Sequence, residues 1–246
     1  MDQRLLIFIS LFLVFSLWEI ISPLRKTKNK KRYRWFDNIL LIFLGNLSLK
    51  ILFPLGLVPF ANGESNQSVF CIVLFVILLD FIIYIQHILS HKVNFLWRFH
   101  RIHHSDSDMD LTTAIRFHPL EIVFSFLYKL FFVYIFSIPI EAILIFEILL
   151  SSMALFNHSN IKLPRQLDEL MQLILVTPKF HTIHHSCINS ELNSNYGFNL
   201  SIWDRIFRTY KHNDIDSINI GLKSFDQKEG FSIFDLLIYP LKLVRK

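Results

Sequence analysis

Apolar residues dominate 4–22, 38–60 and 69–89 with few charges among them, and a longer apolar block fills 119–157. A helix rises about 1.5 Å per residue, so roughly 20 apolar residues cross the hydrocarbon of a bilayer and satisfy every backbone group within the segment. The block at 119–157 is nearly twice that length. Ser137-Ile138-Pro139 breaks it, because proline lacks a backbone N–H and clashes with the preceding turn. The pattern therefore gives spans at 4–22, 38–60, 69–89, 119–137 and 139–157, with 90–118 and 158–246 outside the bilayer. The fold class is all-α: an integral membrane bundle of four or five transmembrane helices under a histidine-rich helical cap.

Lys and Arg collect on the cytoplasmic side of membranes, and this fixes an orientation. "SPLRKTKNKKRYR", after the first span, is strongly basic, whereas "ANGESNQS", between the second and third, has no Lys or Arg. Counting crossings from there places 90–118 on the cytoplasmic side, and the 119–157 hairpin returns the chain to that side. The first span is too long for a signal-peptide core and has no small-residue cleavage site, so it is expected to remain as an anchor. The reading is a multi-pass protein of a bacterial inner membrane or the endoplasmic reticulum, with its cap in the cytoplasm.

Composition supports this. Of 246 residues 52% are hydrophobic, more than a soluble core of this size needs, and 26 are Phe. The net charge of +5 sits largely in the basic loop and in "LKLVRK", where anionic lipid headgroups rather than nucleic acid account for it. Cys71 and Cys187 give no disulfide framework, and Cys187 reads as a free thiol rather than a ligand.

The cap carries the chemistry. "FHRIHHS" at 99–105 returns as "FHTIHHS" at 180–186, and ten of the 11 histidines lie between His87 and His185. At this histidine frequency an H-x-x-H-H window arises by chance about once in 10,000 positions. Residues three and four apart share a helix face, so His87 with His91, His100 with His103 and His104, and His181 with His184 and His185 each present their rings in one direction. Neutral imidazole binds iron, zinc, copper and nickel, and a single ion takes four to six ligands. Eight box histidines with one or two more imply two metals. His118 in "RFHPLE" and His158 in "FNHSN" lie at the same boundary and are candidate ligands; His212 reads as an ordinary polar residue. Zinc-protease H-E-x-x-H is absent.

Acids inside the spans are costly and usually face a bundle interior. Asp80, Tyr84, His87 and His91 form one helical stripe, and Glu147 is similarly placed relative to His158. These acids and Tyr84 are candidates for supporting the ligands, Asp80 and Glu147 by accepting a second ring N–H; otherwise the acids pair with Lys50 or Lys129 or face a wet cavity.

The text "DFIIYIQHILSH", "LWRFHRIHHSDSDMDLTTAIRFHPLE", "FNHSN", "TPKFHTIHHS" and "NSNYGFNLSIWDRIFRTY", in that order from about 80 to 210, resembles the fatty acid hydroxylase and sterol desaturase superfamily of membrane-bound di-iron oxygenases. The resemblance implies two iron ions, with zinc as a possible substitute in purified protein, and O2 as oxidant. It implies a C–H bond of a membrane lipid as target, the substrate being a sterol, fatty acyl or ether lipid among others. It also implies His87, His91, His100, His103, His104, His181, His184 and His185 as ligands, with His158 as the additional histidine before the last box. Ile88 and Arg208 stand where relatives often have arginine and glycine; Asn195 and Trp203 read as structural. No G-x-G-x-x-G or C-x-x-C-H occurs, so electrons are expected from outside, from a ferredoxin or cytochrome-type donor with its reductase. A zinc-dependent lipid hydrolase and a non-enzymatic metal- or lipid-binding membrane protein are the alternatives.

Overall fold

The computed structural model describes residues 3–27, 31–64, 66–106, 108–215, 218–222 and 232–242. Residues 28–30 of the basic loop and the basic tail at 243–246, both used above, lie outside the described residues. Among the described residues every extended element is helical, and β-structure is limited to isolated bridges.

Among the described residues six longer helices form the body: α1 (Gln3–Ile21), α2 (Lys31–Leu52), α3 (Val69–Lys92), α4 (Asn94–His104), α5 (Pro119–Ile135) and α6 (Ile140–His158). Four of them contain stretches long and apolar enough to cross a membrane, namely Arg4–Ile21, Tyr33–Leu52, Val69–Lys92 and Ile140–His158. At 17 residues α5 is about 25 Å long, just short of a full crossing. Large apolar side chains such as Leu13, Ile20, Leu52, Val69 and Phe131 point outward, as a lipid-facing surface requires.

The second helix differs from its sequence reading. It begins within the basic run and ends at Leu52, rather than occupying 38–60. Pro54 and Gly56, the latter at φ +64°, stop it and turn the chain back into a short 3-10 turn at Val58–Phe60. Gly63 then lies against the 137–139 turn, where a Cβ would collide with the Ser137 carbonyl. Ser137, in the left-handed region at φ 47°, reverses the chain between α5 and α6.

α1 packs on α6, α2 on α5, and α3 on both α5 and α6. The C-terminal ends of α1, α3 and α6 and the N-terminal ends of α2 and α5 meet at one end of this bundle. There Leu24 N–H donates to the Asn160 carbonyl at 2.8 Å, and the Glu19 carboxylate accepts from the N–H groups of Leu111 (2.7 Å) and Asn160 (2.5 Å). The cap closes over this end with α4 and four short helices: α7 (Arg165–Met171), α8 (Pro178–His184), α9 (Asn189–Leu192) and α10 (Ile202–Ile206). A last helix, α11 (Ile233–Ile238), packs on α2, and the 3-10 turn that follows it, Tyr239–Leu241, docks on α4, where Arg101 donates to the Tyr239 carbonyl at 2.7 Å. Pro164 caps α7, on which Leu167 and Leu170 are exposed, as is Ile174 just beyond its end.

The basic run after α1 is not wholly a headgroup-facing surface. Arg34 is buried; its Nε and Nη2 donate to Asp106 at 2.5 and 2.8 Å and its Nη1 to Asp110 at 2.9 Å. Asp110 also caps the 3-10 turn Leu111–Ile115. Arg116 completes the network through Asn38 (2.8 Å), Ser105 (2.9 Å) and the Ile102 carbonyl (3.0 Å). The loop following the second histidine box is thereby pinned to α2.

Candidate metal centre

Four helices deliver the histidines. His87 and His91 end α3, where a bend at Val93 separates them from α4; His100, His103 and His104 end α4; His158 ends α6; His181 and His184 lie on α8 and His185 just beyond it. All nine are buried. Their ligand atoms fall into two adjoining groups, each with its atoms within 4.8 Å of one another: His87, His91, His100, His104 and His184 in one, and His103, His158, His181 and His185 in the other.

This division explains the repeated phrase. On α4 the i, i+4 pair His100 and His104 enters the group of five, while His103 enters the group of four; in the second phrase His181 and His185 enter the group of four and His184 the group of five. Each H-x-x-H-H turn thus places a pair of rings at one group and a single ring at the other. The two groups abut where the rings of His104 and His185 stack at 4.4 Å.

Protonation can be read from partners that can only accept. A carbonyl or carboxylate oxygen requires a proton on the ring nitrogen that faces it. Nδ1 of His87 faces the Tyr196 carbonyl at 2.7 Å, that of His184 the Ser194 carbonyl at 2.7 Å, and that of His158 the Ala154 carbonyl at 2.8 Å. Nδ1 of His100 faces Glu121 Oε1 at 2.6 Å, and that of His103 the Arg116 carbonyl at 3.3 Å. In the neutral rings the Nε2 atoms then carry lone pairs.

Those lone pairs are aimed at one another. Nε2 of His158 and Nε2 of His103 are 3.0 Å apart, although each ring has its one proton on Nδ1. Nε2 of His87 and of His184 are buried without a hydrogen-bond partner among the described residues, as are both ring nitrogens of His185. So many buried acceptors without donors would be costly in a metal-free protein. Cations between them remove the conflict, so the residues present fit a pair of metal ions. Burial first, and neighbouring imidazoles second, push His103, His104, His181 and His185 well below the ordinary histidine range; burial does the same for His184, with His87 and His185 adding to it. These rings are neutral at pH 7, the state in which imidazole ligates.

The tenth candidate lies elsewhere. His118 is the N-cap of α5: its Nδ1 accepts from the Leu120 N–H at 3.1 Å and its Nε2 faces the Leu237 carbonyl at 3.2 Å. Both ring nitrogens are used, so it does not join either group.

The supporting acids are also distributed differently. Asp80 accepts from Trp203 Nε1 at 2.8 Å and from the Asn199 N–H at 3.3 Å, tying α3 to the segment beyond the third box. Tyr84 bonds Thr209 at 2.8 Å. Glu147 pairs with Arg4 at 3.0 Å and with Lys129 at 2.5 Å, one of the two lysines that the sequence offers as its alternative partners. None of the three meets a histidine of the two groups in these bonds.

Two residues that the sequence reading passed over do the orienting. Glu121, in "HPLE", meets His100 directly. Asp204, in "WDR", is fully buried and accepts from the N–H groups of Tyr196 (2.8 Å) and Gly197 (2.6 Å) and from the Thr209 hydroxyl (2.6 Å). It fixes the turn whose carbonyls hold His87 and His184. Asn195, at φ 53°, forms the bend in that turn and bonds the Phe180 and Lys211 carbonyls at 3.1 and 3.0 Å. Burial raises the Asp204 pKa to about 6.

A cavity of about 570 Å³ leads from the histidines into the bundle. His87, His100, His103, His158 and His181 line its inner end, and Leu49, Ile83, Ile122, Phe126, Ile143 and Leu150 line its apolar walls.

Comparison with known proteins agrees with this geometry. The fatty acid hydroxylase family model matches residues 72–209. The chain is 27% identical over 223 residues to the ornithine lipid hydroxylase OlsE of Rhizobium tropici, covering 84% of this chain and 66% of that protein. It is 30% identical over 137 residues to the alkylglycerol monooxygenase of Homo sapiens, covering 54% of this chain and 28% of that protein. The Xenopus tropicalis alkylglycerol monooxygenase gives 30% over 136 residues, covering 53% of this chain and 28% of that protein. The chain thus spans just under two thirds of the first relative and under a third of the other two. No solved structure matches. The family match takes in more than half of the chain, both H-x-x-H-H turns and all nine gathered histidines, and the protein belongs to the fatty acid hydroxylase family.

Proposed function

We propose that this chain is a di-iron lipid oxygenase that attacks a C–H bond of a membrane lipid with O2. One observation carries the proposal: two groups of buried imidazoles with confronting lone pairs stand at the inner end of a cavity whose walls are membrane helices. His87, His91, His100, His104 and His184 would hold one iron, and His103, His158, His181 and His185 the other. When bound, the irons supply the activation of O2 that breaking an unactivated C–H bond needs. In the hydroxylation we propose, O2, two electrons and two protons convert the C–H group to an alcohol and release water.

The chain's own residues prepare the site. Carbonyls of Tyr196, Ser194, Ala154 and Arg116, and the Glu121 carboxylate, keep protons on Nδ1 and leave Nε2 free to ligate. The apolar walls exclude water and receive hydrocarbon directly from the bilayer. The named relatives act on ornithine lipid and alkylglycerol, and a membrane amphiphile of this kind is the substrate class we propose here. Electrons come from a ferredoxin or cytochrome-type donor, and the basic loop after α1 favours a cytoplasmic position for the cap. The test is reductant-dependent O2 uptake by the purified, iron-loaded protein, with mass spectrometry of its lipids. A gain of one oxygen per lipid molecule is expected; equal turnover in anaerobic buffer would overturn the reading.

A further inference from the structure

The cavity does not remain apolar along its length. Arg4, Lys129 and Glu147, from three different helices, also line its wall. Lys129 Nζ takes one oxygen of the Glu147 carboxylate at 2.5 Å, and Arg4 Nη2 takes the other at 3.0 Å. Lys129 and Glu147 are largely buried within the bundle, and Arg4, in the first turn of α1 with its side chain 42% exposed, reaches in to share the same carboxylate. Charged groups at such depth are expensive and mark binding sites more often than packing.

The position of the trio gives it a relation to the histidines. Glu147 and His158 lie on the same helix, separated by roughly 16 Å at about 1.5 Å per residue. Both line the one cavity, whose remaining walls are mainly apolar, with Asn46, Gln86, Ser90, Glu121 and Ser125 as polar exceptions. An occupant with a charged end at the trio would lay hydrocarbon along this stretch toward the metal groups.

We propose that Arg4, Lys129 and Glu147 form an anion-binding site for the polar end of a long-chain amphiphile carrying a terminal carboxylate or phosphate, and so fix which carbon reaches the histidines. The inference rests on the cavity being the substrate path of the proposed oxygenase. Lys129 and Arg4 supply the attraction. Glu147 holds both cations in place and moderates their charge, so its neutralisation strengthens binding while loss of Lys129 weakens it.

That opposition of sign is the test. Binding of radiolabelled dodecanoate, dodecyl phosphate and dodecanol is measured on the full-length protein in zwitterionic nanodiscs, with no turnover required. Wild type should prefer at least one of the two anions over dodecanol by tenfold or more, and the preferred anion identifies the natural group. Lys129→Gln should remove that preference, Glu147→Gln should increase it, and dodecanol binding should change less than twofold in both. Equal binding of the three probes to wild type overturns the proposal, as does a parallel loss of all binding in both variants, which marks a structural ion pair. Failure here with intact O2-dependent lipid oxidation rejects this site alone. Failure of that oxidation with anion preference intact rejects the oxygenase.

Discussion

Replacing Asp204 with alanine or asparagine tests how the metal groups are positioned, because its side-chain hydrogen bonds go to Tyr196, Gly197 and Thr209 and to none of the nine histidines. Its carboxylate accepts three hydrogen bonds, from Tyr196 N–H, Gly197 N–H and the Thr209 hydroxyl. Alanine leaves two buried backbone N–H groups without acceptors, each costing about 1–3 kcal/mol, so roughly 2–6 kcal/mol in total. Asparagine is no substitute, since its NH2 group meets a backbone N–H, donor against donor. The turn then shifts, and with it the carbonyls that hold His87 and His184. Loss of such outer support costs 10- to 100-fold in metal affinity, about 1.4–2.8 kcal/mol. The two histidines belong to the group of five, so that ion should be released first. The assay is iron content per chain during titration with a chelator, read beside thermal unfolding. Both variants should melt lower and lose one ion at a chelator concentration 10- to 100-fold below that needed for wild type. Wild-type iron retention in an Asp204→Asn protein of lowered melting temperature would refute the positioning role.

Other outcomes follow from the same geometry. Arg34→Met leaves Asp106 and Asp110 buried without their main cation and should destabilise the protein by about 3–5 kcal/mol, read as a lowered melting temperature; an unchanged one would contradict the network. His118→Ala should keep full iron content and lose only about 1 kcal/mol of stability, the worth of a helix cap, whereas iron loss would restore His118 to the ligand set. In metal-stripped protein the unfolded chain takes up protons near the ordinary histidine value of about 6.5, while burial holds folded His103, His104, His181, His184 and His185 neutral. The unfolded state binds more protons, so stability should fall as pH drops below about 6.5, by up to about 1.4 kcal/mol per pH unit for each ring. Denaturation of the stripped protein across pH 7.5 to 5, in steps of about half a unit, checks this; a flat profile would contradict the burial.

What the sequence made legible was whatever depends on spacing within one helix. Apolar runs marked where long helices form, though not where the second begins and ends, and the i, i+3, i+4 intervals put His100, His103 and His104 on one face. Spacing could not show that each box divides between two groups, because the partners come from α3, α6 and α8. His118 and His158 both sit beside a span, but one ends α6 pointing into the cluster and the other starts α5, where capping uses its ring. Asp80 and Glu147 occupied the expected buried faces, yet their partners, Trp203 and the Lys129–Arg4 pair, are fixed by packing between helices. Arg34 sat in a basic run whose sum signalled a membrane surface, and only the folded loop at Asp106–Asp110 singles it out. Asp204 acts through backbone, which no side-chain pattern reveals.

The most direct test of the central claim is the number of irons bound per chain after anaerobic loading with ferrous ion and removal of excess. Two per chain are predicted for the wild-type protein; one per chain, or none, would contradict the division of nine histidines between two ions.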